Sequence, residues 1–251
     1  MLLIFLAVSV TIQLLKDDNE GLANFGVELL KIPRYRNSSI GRQVAGLLRG
    51  MELEKIMQEN SISKRASLLE KQARAAPADP NAPNLWFNAA KDYLNSGEIL
   101  AALNSYRYID KKYSTSKAHP EALLELAKLL RGLSKLQQSS DAFLKFSRKY
   151  AQDSRSEGAL KQSCYLAIAN DYKKSEGRCY DYYNKVGMRA FSLLERLLQV
   201  GVLAKDNTFL KRVVSRFYDA NKSIPSGLRI QGKCALYYAF LPRRNNLNGK
   251  C

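Results

Sequence analysis

The sequence predicts an all-α protein, specifically an α-solenoid of stacked helix–turn–helix hairpins. Three observations carry that expectation. The 251 residues hold only 14 Gly and 7 Pro, well below the roughly 12% combined share of an average protein, which disfavours a turn-rich sandwich or barrel. Apolar residues recur at three- and four-residue intervals through most of the chain, the spacing of one helix face. A segment of about one hairpin in length then repeats at a fixed offset, which is how a stacked array announces itself. Hydrophobic residues make up 46% and charged residues 25%, so a sizeable core is within reach and a disordered chain is not indicated.

The chain reads in order as follows. Residues 1–15, MLLIFLAVSVTIQLL, are uncharged and apolar up to Lys16-Asp17-Asp18. They are short for a membrane span, which needs about 20 residues, and no basic residue precedes them as an export signal would require. A buried first helix packed on the next is the reading preferred here, an atypical export signal or anchor the other, and no stable membrane span is expected. Residues 19–32, 40–58 and 61–75 each show helical periodicity, interrupted by Pro33 and then by Pro77, Pro80 and Pro83, which mark a joint.

The repeat follows. Segment 86–113 matches 123–150 at an offset of 37: Ala90 falls on Ala127, Lys91 on Lys128, Tyr93 on Leu130, Tyr106 on Phe143, Ile109 on Phe146, Lys112 on Lys149 and Tyr113 on Tyr150. In the first unit Ala102, Tyr106, Ile109 and Tyr113 form one apolar helix face. Ala89 and Ala90 lie one helix earlier, where bulk would hold two helices apart, and Asn95-Ser96-Gly97 supplies the turn between them. A third hairpin is read in 160–187 in either of two registers, one placing Tyr180 and Tyr183 on Phe143 and Phe146, the other placing Ala169 and Tyr172 on the small and aromatic slots. Past Asn221, SIPSGLRIQGKCALYYAF reads as a last helix or cap, and RRNNLNGKC as a basic tail expected to be mobile.

The slots Trp86, Ala89, Ala90, Tyr93, Gly97, Ala102 and Tyr106 resemble the tetratricopeptide repeat, a helical hairpin with a large residue, a small pair, an aromatic, a turn glycine, a small residue and a second aromatic. Leu123, Leu126, Ala127, Leu130 and Phe143 agree in the second unit. Ser139 there replaces a small alanine, the step is 37 rather than 34, and Ser114 and Ala151 stand where the family has proline. The stretch KKYSTSKAHPEALLELAKL is more loosely similar to the elongated repeats of bacterial envelope proteins of the outer-membrane assembly and Tol–Pal coordinator type. On this basis the chain divides into N-terminal hairpins (1–76), a tetratricopeptide-like repeat region (84–222) and a C-terminal cap with basic tail (223–251). The resemblance implies a right-handed α-solenoid serving as a protein-binding scaffold, with envelope assembly as one setting; bacterial periplasm and cytoplasm both stay open as compartments.

Chemistry is sparse. The four cysteines, Cys164, Cys179, Cys234 and Cys251, have no CxxC spacing, so no metal site is expected. Cys164 and Cys179 could face each other across a hairpin, but the expectation is buried free thiols acting as small hydrophobes. The lone histidine, His119, sits in a joint before Pro120, poorly placed to serve a nucleophile. No phosphate-cradling glycine loop is present. No catalytic residue and no cofactor are expected, and the protein is read as a non-enzyme.

Forty Lys and Arg against 23 Asp and Glu give a net charge of +17, and residues 181–251 alone carry +9 of it. That balance favours acidic partners. The 14 tyrosines, several beside basic residues, keep single-stranded nucleic acid as the alternative partner, although Tyr93, Tyr106 and Tyr113 fall on core slots. In the tetratricopeptide family the first helix of each hairpin lines a groove for partner peptides. The resemblance carries that groove onto Asn84, Phe87, Lys91, Leu94 and Asn95, and onto Glu121, Leu124, Lys128 and Arg131. Lys91 and Lys128 fall at equivalent repeat positions, and with Asn95 and Arg131 they are expected to hold an acidic or amphipathic segment of another protein by charge-assisted hydrogen bonds.

Overall fold

The computed structural model describes residues 19–187 and 191–220; the apolar run 1–15 and the proposed cap and tail at 223–251 lie outside these. Every element among the described residues is a helix, and the helices pack on their sequence neighbours. They are α1 (Asn19–Lys31), α2 (Pro33–Arg36), α3 (Ser39–Met57), α4 (Ile62–Ala75), α5 (Ala82–Asn95), α6 (Ile99–Lys112), α7 (His119–Gly132), α8 (Leu136–Lys149), α9 (Ser156–Val186), α10 (Phe191–Leu203) and α11 (Asn207–Ala220). The chain divides into two compact units, residues 1–105 and 106–251.

The offset of 37 is built into the helix boundaries. α4, α6 and α8 begin at Ile62, Ile99 and Leu136 and end at Ala75, Lys112 and Lys149; α5, α7 and α9 begin at Ala82, His119 and Ser156. α9 is itself a hairpin, because Asp171 leaves helical geometry (φ −156°, ψ 95°) and splits it into 156–170 and 172–186. Its end at Val186 falls 37 residues after Lys149. Of the two registers open for this segment, burial follows the offset of 37. Leu160 is buried like Trp86 and Leu123, Cys164 like Ala90 and Ala127, and Tyr183 like Ile109 and Phe146, while Tyr180 is half-buried and Ala169 exposed.

Two turn types alternate. Within the α5–α6 hairpin the first helix ends in a paired backbone lock: Glu98 N donates to Tyr93 O (2.7 Å) and Gly97 N to Leu94 O (3.1 Å). The same pair of bonds joins Lys135 to Leu130 and Ser134 to Arg131, and again Asp206 to Gly201 and Lys205 to Val202. This is the Schellman end, which needs a left-handed residue at its fifth position. Gly97 (φ +84°) supplies it without strain, whereas Ser134 (φ +56°) and Lys205 (φ +51°) must adopt it with a side chain. Between hairpins the joints 76–82, 113–119 and 150–156 share a second pattern: Asp79, Ser116 and Asp153 bond back to Ala76, Tyr113 and Tyr150, and each is then the acceptor for the first residue of the next helix.

The core slots are filled as the periodicity requires. Trp86, Ala89, Ala90, Ala102, Tyr106, Ile109, Leu123, Ala127 and Phe146 are almost fully enclosed, and Phe143 nearly so. Tyr113 differs from expectation: it follows the last turn of α6 and is only half-buried. Ser139 fits a small-residue slot because its hydroxyl donates to Ala127 O (2.7 Å) across the α7–α8 hairpin, so burial leaves it satisfied.

The expectation of free thiols is overturned. Cys164 and Cys179 form a disulfide, with Cα atoms 4.8 Å apart. Their positions in the preceding hairpin are held by Ala127 and Ala142, both buried. Where two small residues let the helices of a hairpin approach closely, two cysteines come within bonding reach, and both are shielded from solvent.

Candidate binding surface

The first helix of a hairpin spends one face on its partners and leaves the other to solvent. On α5, in the first compact unit, Leu85, Trp86, Ala89, Ala90 and Tyr93 are buried, while Asn84, Lys91 and Asn95 are exposed and Phe87 is half-buried. Lys91 Nζ stands 5.8 Å from the centre of the Phe87 ring, one turn away. Asn84 donates to Asn81 Oδ1 (2.9 Å), closing the start of the helix rather than reaching outward. Asp92, on the opposite side, accepts a two-pronged bond from Arg65 of α4 (2.7 and 2.8 Å), and Tyr93 donates to Glu70 Oε2 (2.8 Å), so the α4–α5 seam is tied by polar as well as apolar contacts.

On α7, in the second unit, Lys128 and Arg131 lie on one exposed face at i, i+3. Both already have local partners. Lys128 Nζ is 2.7 Å from Glu125 Oε1, and Arg131 Nη1 donates to Gln162 Oε1 of α9 at 3.0 Å. Of the remaining groove positions, Leu124 is buried and Glu121 is paired with Arg155 at 2.5 Å, so neither is an open contact point.

Sequence reasoning missed a neighbouring cluster on the same side of the second unit. Lys161 and Tyr165 of α9 and Arg196 of α10 converge: Lys161 Nζ is 5.9 Å and Arg196 Cζ 5.3 Å from the centre of the Tyr165 ring. The signal was available, since Tyr165 stands 37 residues after Lys128, but it required the register that the sequence left open. Elsewhere in this unit several cations are engaged by carboxylates. Lys145 pairs with Asp110 (2.5 Å), Arg148 with Asp181 (2.9 Å), Arg178 with Asp141, and both Arg212 and Arg216 with Glu176 (3.3 and 3.1 Å).

A second polar group, at the α6–α7 joint, carried no sequence signal. His119 is fully enclosed, with Nε2 2.9 Å from Asp110 Oδ1 and Nδ1 against the Tyr150 hydroxyl. A carboxylate only accepts, so Nε2 carries the proton toward Asp110, and in the neutral ring Nδ1 accepts from Tyr150. The hydrogen bond from His119, reinforced by Lys145, holds the Asp110 carboxyl below its ordinary value of 3.8. Burial, together with the charge of Asp110, pushes the Tyr150 hydroxyl up. All three groups are used on one another, and the His119 ring between them is sealed from solvent.

Among the described residues no cluster of three or more His, Cys, Asp and Glu side chains could hold a metal ion, and no helix is long and apolar enough to cross a membrane. No protein-family model matches the sequence, and no curated protein matches it either.

Proposed function

We propose that the protein is a non-enzymatic scaffold, a right-handed solenoid of tetratricopeptide-like hairpins that holds an acidic or amphipathic segment of another protein on the first helices of its hairpins. The observation that carries this reading is the division of labour repeated every 37 residues. Core slots such as Ala90 and Ala127 are sealed, while Lys91 and Lys128, one position further on, are both exposed. A repeat that spends its apolar residues on stacking keeps its first helices for recognition. The pairing of so many other cations with carboxylates favours this over the nucleic-acid alternative, because a phosphate backbone is held by cations free to replace its counterions. The Cys164–Cys179 bond supports an oxidising compartment, where such a crosslink persists, in keeping with the envelope setting.

The test is capture by cross-linking in the source cell, read by mass spectrometry, with the wild type beside a Lys91→Glu, Lys128→Glu double variant. The variant should lose its partners while melting within a few degrees of the wild type, since exposed charges contribute at most about 1 kcal/mol each to folding. A folded variant that retains its protein partners would refute these positions. Capture of nucleic acid with a steep log-linear loss in salt would refute the protein-binding reading itself.

A further inference from the structure

We infer that the acidic segment is also gripped by Lys161 and Arg196 around Tyr165, with an apolar side chain of the same segment seated on Ile168, Val200 and Leu203; this rests on the scaffold reading above and adds a contact point to it. Lys161 and Arg196 come from two helices, α9 and α10, yet stand over one aromatic ring, at 5.9 and 5.3 Å from its centre. Neither has a carboxylate partner among the described residues, whereas Lys128, Lys145, Arg148, Arg178, Arg212 and Arg216 each have one; Lys111, Lys112, Lys117, Lys135, Lys205 and Lys211 lack one too, but do not converge in pairs on a ring as Lys161 and Arg196 do. A carboxylate brought to the rim of this ring can accept a charge-assisted hydrogen bond from either cation.

The apolar half of the site follows from spacing. On α9 the run is Lys161, Tyr165, Ile168, and on α10 it is Arg196, Val200, Leu203, so each helix presents a cation and then two less polar residues at i, i+4 and i+7 on one face. Ile168 and Val200 are half-buried, and Leu203 is 82% exposed, the most exposed large hydrophobic residue among the described residues. A partner helix with a glutamate or aspartate one to two turns from a leucine-sized residue complements both halves. A nucleic acid does not: the Tyr165 ring already carries cations where a base would stack, and Glu125 interrupts the run of positive charge toward α7.

The experiment measures fluorescence anisotropy of a labelled alanine-based helical peptide carrying glutamate and leucine four residues apart on one face, with the full chain, its disulfide intact, at physiological salt. Lys161→Ala with Arg196→Ala should weaken binding by about tenfold or more. Lys111→Ala with Lys112→Ala removes the same charge from the second helix α6 and should change it by less than about twofold. Circular dichroism melts check that each variant is folded. Equal losses in the two double variants would overturn the inference and mark the attraction as general charge. Loss only on changing Lys91 and Lys128 would overturn it while leaving the scaffold reading intact. No peptide binding together with tight binding of an oligothymidylate would overturn both.

Discussion

Replacing Cys164 and Cys179 by alanine isolates what the crosslink contributes, because alanine is what the preceding hairpin carries at the same two positions, Ala127 and Ala142. The substitution therefore introduces no clash and no foreign shape. The bond closes a loop of 15 residues, and in the chain-entropy account such a loop restricts the unfolded ensemble by about 3 kcal/mol. Loss of two buried sulfur atoms from the hairpin core adds roughly 1 kcal/mol more. With a urea dependence of about 2–3 kcal/mol per molar for a chain of this size, the midpoint of unfolding should fall by roughly 1–2 M. Far-UV circular dichroism follows the helices directly, and amide hydrogen exchange locates the effect: protection should drop first in 156–186, since repeat arrays lose stability locally. A midpoint within about 0.3 M of the wild type, or unchanged exchange in that segment, would show that the hairpin is held by its apolar contacts alone and that the bond is dispensable.

Two further outcomes follow from the joints. Ser134→Gly should stabilise the protein by about 0.5–1 kcal/mol, because the left-handed backbone at φ +56° costs an L-residue roughly 1–2 kcal/mol and glycine gives part of that back as unfolded-state entropy; Gly97→Ala should destabilise by about 1–2 kcal/mol, and thermal melts that moved in the opposite directions would contradict the turn geometry. The Asp110 carboxyl titrates below 3.8 in the folded state, so its contribution is present above the ordinary carboxylate value and is lost as pH falls through the depressed one. Urea midpoints measured between about pH 5 and pH 2.5 should fall less steeply in His119→Ala than in the wild type, and identical slopes would mean that His119 does not hold the carboxylate.

How far the sequence could be read depended on whether a feature lay in the pattern or in the exceptions to it. Ala90, Ala127, Tyr106, Phe143, Ile109 and Phe146 were legible because each apolar slot recurs and a core admits few substitutes. The disulfide was harder, because a cysteine in a small slot looks like any other small residue until the helix approach is known; the hairpin spacing allowed the bond but could not weigh it against two thiols. Tyr113 misled for a local reason. It continues the helical spacing of Ala102, Tyr106 and Ile109 but falls just past the end of α6, where the periodicity no longer sets the direction of a side chain.

The joints expose the remaining gap most clearly. At the start of successive first helices, 37 residues apart, stand Ala82, His119 and Ser156, all buried, and nine residues before each stand Ala73, Asp110 and Ser147. The backbone is the same at all three, yet the pairs are apolar, ionisable and hydroxylic. Ser156 donates to the Ser147 carbonyl (3.0 Å), as His119 does to the Asp110 carboxylate. A buried polar residue at this point is tolerable only if it finds an acceptor: Ser156 uses a backbone carbonyl that any residue at 147 would supply, whereas His119 needs the Asp110 side chain. That dependence is invisible in His119 alone, which is why it looked idle beside Pro120. With both ring nitrogens spent, on Asp110 and on the Tyr150 hydroxyl, the one histidine can be sealed inside the joint without an unmet hydrogen bond.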